Sequence, residues 1–531
     1  MELNRPEILQ LFALLTGLGA LVFLAPISRI PYPILMVLGG LALSLMPGLP
    51  DFELPPELVL VAFLPPLLYS AAFFTSLRDL RANVRPIGLL SIGLVGATTV
   101  AVAVVAHSAI ADMPWSAAFV LGAVVSPTDP IAATAITRRL GAPRRIVTIL
   151  EGESLVNDAT ALVLYRAAVV ATVTGAFSVW ESGMRLVVDA AAGIAIGLAV
   201  GYVVRQVRRR MSHSPSEITI ALLTGYLAYL PAEALGVSAV LAAVTVGIYM
   251  GWYTPELTDA ETRIQGNAFW SILVFILNAT LFTLVGLQLP LVLGGLDAWS
   301  TAELAGAAMA VCASVLLVRI LWVFLFARLP RWSLGAFGSD RPPWQRLTVV
   351  AWAGMRGAVS LAAALAIPLE TDTGLPFPDR GLIIFLAFCV ILVTLVLQGL
   401  SLPLVIRWLG IEDDGLEARE EAKARLRAAE AALGRLEELT GEDWVRDDTA
   451  ERTRGLYRFR ANRFGARLND EDTDDSNEER SRQFQRLRRE LLAAERDAVI
   501  GLRRSQVISD DVMNRVLRDI ALEDVRLDHE R

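Results

Sequence analysis

Up to about residue 410, apolar runs long enough to cross a bilayer alternate with short polar breaks. Thirteen such runs can be drawn, at approximately 7–26, 30–47, 57–75, 86–107, 114–136, 145–174, 182–204, 216–232, 235–252, 267–289, 301–327, 346–368 and 381–408. Each predicts a helix, because an α-helix satisfies its backbone polar groups internally in a medium without water. From residue 411 the pattern changes. Leu426, Leu433 and Leu436 recur at helical spacing among Ala, Glu and Arg, which predicts an amphipathic helix over Leu416 to Leu439. Gln483 to Leu527 reads as further helices, and Asn469 to Glu479 between them as an acidic, disordered linker. The expected organisation is a transmembrane domain over 1–410 and a charged helical, regulatory tail over 411–531.

Charge sharpens this division. Residues 1–410 hold 24 acids and 24 bases, whereas residues 411–531 hold 31 acids and 24 bases, so the net charge of −7 belongs to the tail. A mean hydropathy of +0.51 fits a polytopic membrane protein whose surroundings are lipid and which has no nucleic-acid partner. Arginines cluster in alternate loops: Arg29; Arg78, Arg81 and Arg85; Arg138, Arg139, Arg144 and Arg145; Arg205 and Arg208 to Arg210; Arg263; then Arg328, Arg331, Arg341 and Arg346. The positive-inside rule puts those loops and the tail in the cytoplasm and the N-terminus outside. The first run lacks a basic leader and a small-residue cleavage site, and is expected to be a retained span. Cys312 and Cys389 both sit in apolar runs and are read as small hydrophobes.

Two runs carry helix-breaking chemistry. The fifth contains Ser126-Pro127-Thr128-Asp129-Pro130 and the twelfth Gly354-Met355-Arg356-Gly357. If runs one to six and eight to thirteen are related halves, each break falls in the fifth helix of its half, the pattern of an inverted-repeat transporter with a midplane site. Pro65-Pro66 should kink the third run.

Inside the sixth run lies Glu151-Gly152-Glu153-Ser154-Leu155-Val156-Asn157-Asp158. Ionisable groups at membrane depth cost at least ~2.5–3.5 kcal/mol each, so three carboxylates in eight residues predict an ion or proton site. Ser154 and Asp158 share a helix face, as do Glu153 and Asn157 one position round. Asp158, Ser154 and Thr128 would supply the hard oxygens that an alkali cation prefers. A carboxylate there holds a proton or a cation, never both, which is the minimal chemistry of an exchanger. Arg319 and Arg356 also lie within runs and need partners; Glu153 is assigned to Arg319 and Asp129 to Arg356.

Together Ser126-Pro-Thr-Asp-Pro130, Gly152-Glu-Ser-Leu-Val-Asn-Asp158 and Gly354-Met-Arg-Gly357 resemble the signatures of the monovalent cation:proton antiporter-1 family, the sodium/proton exchangers. The resemblance spans residues 7–408. It implies an all-α homodimer in the bacterial inner membrane, each protomer having a dimerisation bundle and a core that moves as an elevator around crossed, interrupted helices. It implies sodium (or lithium, with potassium open) bound at Asp158, with Ser154 and the Thr128 backbone nearby, and Glu153–Arg319 as a buried pair. Asn157 before Asp158 resembles the electroneutral branch. Many members carry an acid after the Leu-Pro-Pro of the third run; here Ser70 stands in that place, with Ser126 a further neighbour of the site. No cofactor is implied beyond the transported ions.

Plainer readings stand beside these: Asp158 as a neutral structural carboxyl, Glu151 as a helix-end charge, His107 and His213 as solvated loop groups, Arg166 as locally paired, and the span glycines as close-packing positions. A potassium/proton antiporter gated by its tail stands within transport. A membrane hydrolase using Ser154 lacks a nearby histidine in a span and the second glycine of a nucleophile elbow, so no enzyme is expected. A channel needs no titratable group beside broken helices.

Overall fold

The computed structural model describes residues 16–28, 30–46, 58–175, 179–294, 296, 299–328, 343–466, 468 and 475–528. Residues 7–15 of the first run, the loop 47–57, Arg29, Arg331 and Arg341, and residues 469–474 of the acidic linker lie outside the described residues. The rest of that linker differs from expectation: from Asp475 it is helical, as the opening of a 30-residue helix.

The protein is all-α. Residues 16–24 form α1, followed by α2 (Tyr32–Ser44) and α3 (Leu64–Phe74). Next come α4 (Val84–Ala109), α5 (Trp115–Val125), α6 (Pro130–Arg139), α7 (Arg144–Thr174), α8 (Val179–Arg208), α9 (Ser214–Ala234) and α10 (Ala239–Leu257). The apolar unit closes with α11 (Ala260–Leu287), α12 (Thr301–Arg328), α13 (Trp344–Trp352), α14 (Ala358–Leu365) and α15 (Arg380–Trp408). Among the described residues every apolar run falls on a helix or a broken pair, and seven helical segments are long and apolar enough to cross a membrane. Pro65 and Pro66 do not act alone. They follow a π-helical turn, Leu58–Phe63, whose wider winding meets the loss of two N–H donors.

Two bundles make up this apolar unit. In one, α2 lies along α11, while α3, α8 and α9 surround α10. In the other, α5 packs between α4 and α7, α12 lies on α4 and α15, and α14 closes on α15. Contact between bundles is sparser and includes α7 against α3 and α10, and α14 against α11. Small residues set the closest approaches. A Cβ on Gly40 would meet the Thr283 carbonyl, and one on Gly286 the Val37 carbonyl, so α2 and α11 touch backbone to backbone. Cys312 and Cys389 are both unbridged.

The chain divides into two compact units, residues 1–413 and 414–531. In the second, α16 (Leu416–Leu439) packs along α17 (Asp447–Ala466), burying Ala422, Ala429, Ala450 and Phe464. Beyond them, α18 (Asp475–Arg504) packs along α19 (Asp510–Asp528), with ion pairs Arg488–Glu523 at 3.1 Å and Arg503–Asp510 at 2.7 Å.

Candidate cation site

The fifth and twelfth runs are each two half-helices. After α5 ends at Val125, the chain leaves the helix and restarts at Pro130, whose fixed φ and missing N–H suit a first helical position. Asp129 caps the restart, its Oδ1 accepting from the Ile131 N–H at 2.8 Å. In the twelfth run, residues 353–357 separate α13 from α14. The breaks touch, because the Asp129 N–H donates to the Met355 carbonyl at 2.7 Å.

Four helix ends therefore meet at depth, two with unpaired carbonyls and two with unpaired N–H groups. Arg356, fully buried, serves the carbonyl ends: Nε donates to the Val125 carbonyl at 3.1 Å and Nη1 to the Gly354 carbonyl. Its own N–H is taken by Thr394 Oγ1 at 3.0 Å. Asp129 serves one N–H end and lies beside the other. It caps α6, and its carboxylate lies against Gly357 at the start of α14, where any Cβ would collide with it. The direct Asp129–Arg356 pair expected from sequence is thus not formed among the described contacts. Both charges are spent on opposite ends of the broken helices, which offer each a closer partner than the other.

The α7 helix lays its polar face along this crossing, with Glu153, Ser154, Asn157 and Asp158 all buried. Arg319 from α12 holds Glu153 with two bonds, Nη1 to Oε1 at 2.5 Å and Nη2 to Oε2 at 2.9 Å. The same guanidinium donates to the Val350 carbonyl at the end of α13, from Nη2 at 3.0 Å and Nε at 3.3 Å. Gly354 leaves room for it, since a Cβ there would overlap the Arg319 side chain. Thr128 links this pair to the rest of the site. Its hydroxyl donates to Glu153 Oε1 at 2.8 Å and accepts from Asn157 Nδ2 at 2.9 Å, while Asn157 Nδ2 also reaches the Thr128 carbonyl at 3.1 Å. The Thr128 hydroxyl is consequently committed to the network, leaving its carbonyl as the more available oxygen.

Asp158 differs from its neighbours. It is buried, one turn from Ser154, and makes no hydrogen bond or ion pair with any described residue. Asn157 Oδ1, adjacent in sequence, is also buried without a hydrogen-bond partner among the described residues. The result is a carboxylate and an amide oxygen unclaimed by the protein, beside a network in which every other charge is claimed. Ser70 and Ser126 are not joined to it by hydrogen bonds. Each bonds back to its own helix, to the Leu67 carbonyl at 3.0 Å and the Ala123 carbonyl at 2.9 Å. Glu151 pairs with Arg138 at 2.5 Å at the half-exposed end of α7.

One buried pair escaped the sequence reading. Arg208, there taken for a loop charge, is 3% exposed and meets Glu217 at 3.3 Å, Thr258 at 2.8 Å and Thr254 at 3.2 Å. The available signal was Glu217 itself, the only acid between Asp189 and Glu233.

Crossed half-helices inside an all-α apolar unit, beside a carboxylate unpartnered among the described residues, are the architecture of a secondary transporter. The profile of the sodium/hydrogen exchanger transmembrane family matches residues 11–408, and the chain belongs to that family. It is 39% identical over 508 residues to an uncharacterised Na(+)/H(+) exchanger of Mycobacterium tuberculosis, covering 94% of this chain and 92% of that one. It is 36% identical to the sodium, potassium, lithium and rubidium/H(+) antiporter of Bacillus subtilis, over 71% of this chain and 58% of that one. The fold is similar to that of the sodium proton antiporter MjNhaP1 from Methanocaldococcus jannaschii at pH 8, with a TM-score of 0.57 and 19% identity. That match covers 76% of this chain and all of the other. The protein is a multi-pass membrane antiporter of monovalent cations and protons.

Proposed function

We propose that the protein exchanges cytoplasmic sodium or lithium for external protons by competition at Asp158, one for one. Asp158, the carboxylate that no described group neutralises, carries this reading. Ser154, the Thr128 carbonyl and the free Asn157 Oδ1 are the oxygens that would complete a cation shell, sodium preferring hard oxygen ligands. Protonation of Asp158 removes the charge that holds the cation, so each ion displaces the other. Only the loaded carboxyl, carrying a proton or a cation, is neutral enough to cross with the core bundle.

The remaining frame belongs to the same proposal. Of thirteen spans, one to six and eight to thirteen form two inverted halves, the N-terminus lies outside and the tail in the cytoplasm, two copies join through the α2–α11 bundle, and the other bundle slides as an elevator. In everted vesicles, Asp158→Asn is expected to abolish cation-dependent proton movement; full exchange by that variant would overturn the assignment.

A second reading, potassium/proton exchange controlled by the tail, is favoured by Ser70 at a place where an acid would discriminate small cations, and by the breadth of ions in the Bacillus relative's name. Exchange measured with sodium, lithium and potassium, on the full chain and on residues 1–413, separates the two.

A further inference from the structure

A stripe of α7 begins one residue after Asp158: Ala159, Leu162, Val163 and Arg166, at the spacing of one helix face. This stripe forms one wall of a cleft. The other wall comes from the second bundle and includes Asp189 of α8, Tyr229 and Glu233 of α9, and Ser238 at the start of α10. Arg166 reaches across, Nη2 donating to Glu233 Oε1 at 2.9 Å and to Oε2 at 3.1 Å. Its side chain is 43% exposed and that of Glu233 42%, so the pair stands at the mouth and not in the packed interior. An arginine in an otherwise apolar stretch of a membrane helix is costly unless it has a purpose or a partner, and here the partner belongs to the opposite bundle.

We propose that Arg166 and Glu233 form a latch between the bundle that carries Asp158 and the bundle that faces it. The proposal rests on the reading that the two bundles slide past one another. The cleft begins at Ala159, next in sequence to Asp158, and is spanned by the ion pair. Any sliding of α7 along α9 must break both bonds, each about 3 Å long, so the pair stabilises the conformation in which it is made. An exposed ion pair is a weak bond, and this suits a latch that opens in every cycle. Asp189 lines the same cleft and offers Arg166 a second carboxylate once Glu233 is released. Being exposed, the latch weakens as ionic strength rises, since screening shortens the reach of charge to a few ångströms near 1 M salt.

The experiment uses the full chain with Cys312→Ala and Cys389→Ala, reconstituted in liposomes. A reporter, Val163→Cys, is labelled with a membrane-impermeant maleimide. Glu233→Gln and Arg166→Gln should each raise the labelling rate about two- to five-fold, the change expected from losing a surface ion pair. The charge swap Arg166→Glu with Glu233→Arg should restore the slow rate, and about 1 M choline chloride should speed labelling wherever an ion pair is intact, native or swapped, and leave the single Gln variants unchanged. Unchanged or slower labelling in both single variants overturns the latch. As a second arm, Arg166→Cys with Glu233→Cys, joined by a reducible bifunctional methanethiosulfonate as long as the ion pair it replaces, should stop exchange when linked and resume it on reduction. Full exchange through the linker would show that α7 and α9 do not separate there. Labelling does not depend on which carboxylate binds the ion, so failure of the Asp158 assignment leaves this result readable.

Discussion

Glu153 and Arg319 bury a full charge each, and the geometry makes them a single unit: two parallel bonds to each other, one carbonyl and one hydroxyl for what remains. Removing one partner strands the other without water, which costs about 3–5 kcal/mol. Glu153→Gln is therefore expected to lower the thermal midpoint in detergent by several degrees, while Arg319→Gln in the same chain recovers some of that loss. A stable but wholly inactive Glu153→Gln would instead make Glu153 an ion ligand. The pairing was legible in the sequence because two charges of opposite sign stood within apolar runs with few other candidates. Asp129 and Arg356 looked equivalent on that logic, yet backbone ends outcompeted the side chains for each other. Sequence lists side-chain charges and hides the partial charges of broken helices. Outside the spans, Asp259 caps α11, its carboxylate accepting from the Thr262 N–H at 2.8 Å, and the Thr262 bonds hold its pKa below the usual value. A lowered pKa contributes stability above the unfolded-state value and loses it as pH falls through the folded one. Asp259→Ala should thus be less stable than the parent at pH 7, with the gap closing towards pH 3 in a thermal melt.

At the scale of elements, the crossing is a joint between four half-helices, and its tolerances are narrow. Gly357 is the tightest point, since the Asp129 carboxylate occupies the space a side chain would need. Gly357→Ala must displace the cap of α6 or the start of α14. It is expected to reduce exchange strongly while the protein still assembles in the membrane, which transport alongside size-exclusion profiles would check; normal transport would mean that the joint can yield. The breaks themselves could be located from Pro127, Pro130, Gly354 and Gly357, because proline and glycine report backbone behaviour directly. The π-turns at Leu58–Phe63, Leu89–Leu94 and Thr394–Gln398 could not be. Their sequences are ordinary apolar runs with no residue that reports the wider winding. The Arg208–Glu217 pair was hidden similarly, since the loop that brings α9 back onto α8 is a tertiary event.

For the whole molecule, the division at residue 413 makes the tail a compact unit of its own. Residues 1–413 contain all the residues of the crossing and of the proposed cation site, so that segment alone should retain exchange, with any change confined to its dependence on pH or on the ion. Loss of all transport despite normal insertion would place some of the machinery in the tail. At the crossing, two acids, Glu153 and Asp129, stand beside two bases, Arg319 and Arg356. On the proposed one-for-one exchange, Asp158 with a proton or a sodium ion aboard would add no net charge to that balance. The loaded carrier would then feel no force from the membrane voltage, and a cell could set its sodium level from the acidity difference alone, however strongly or weakly its membrane is energised.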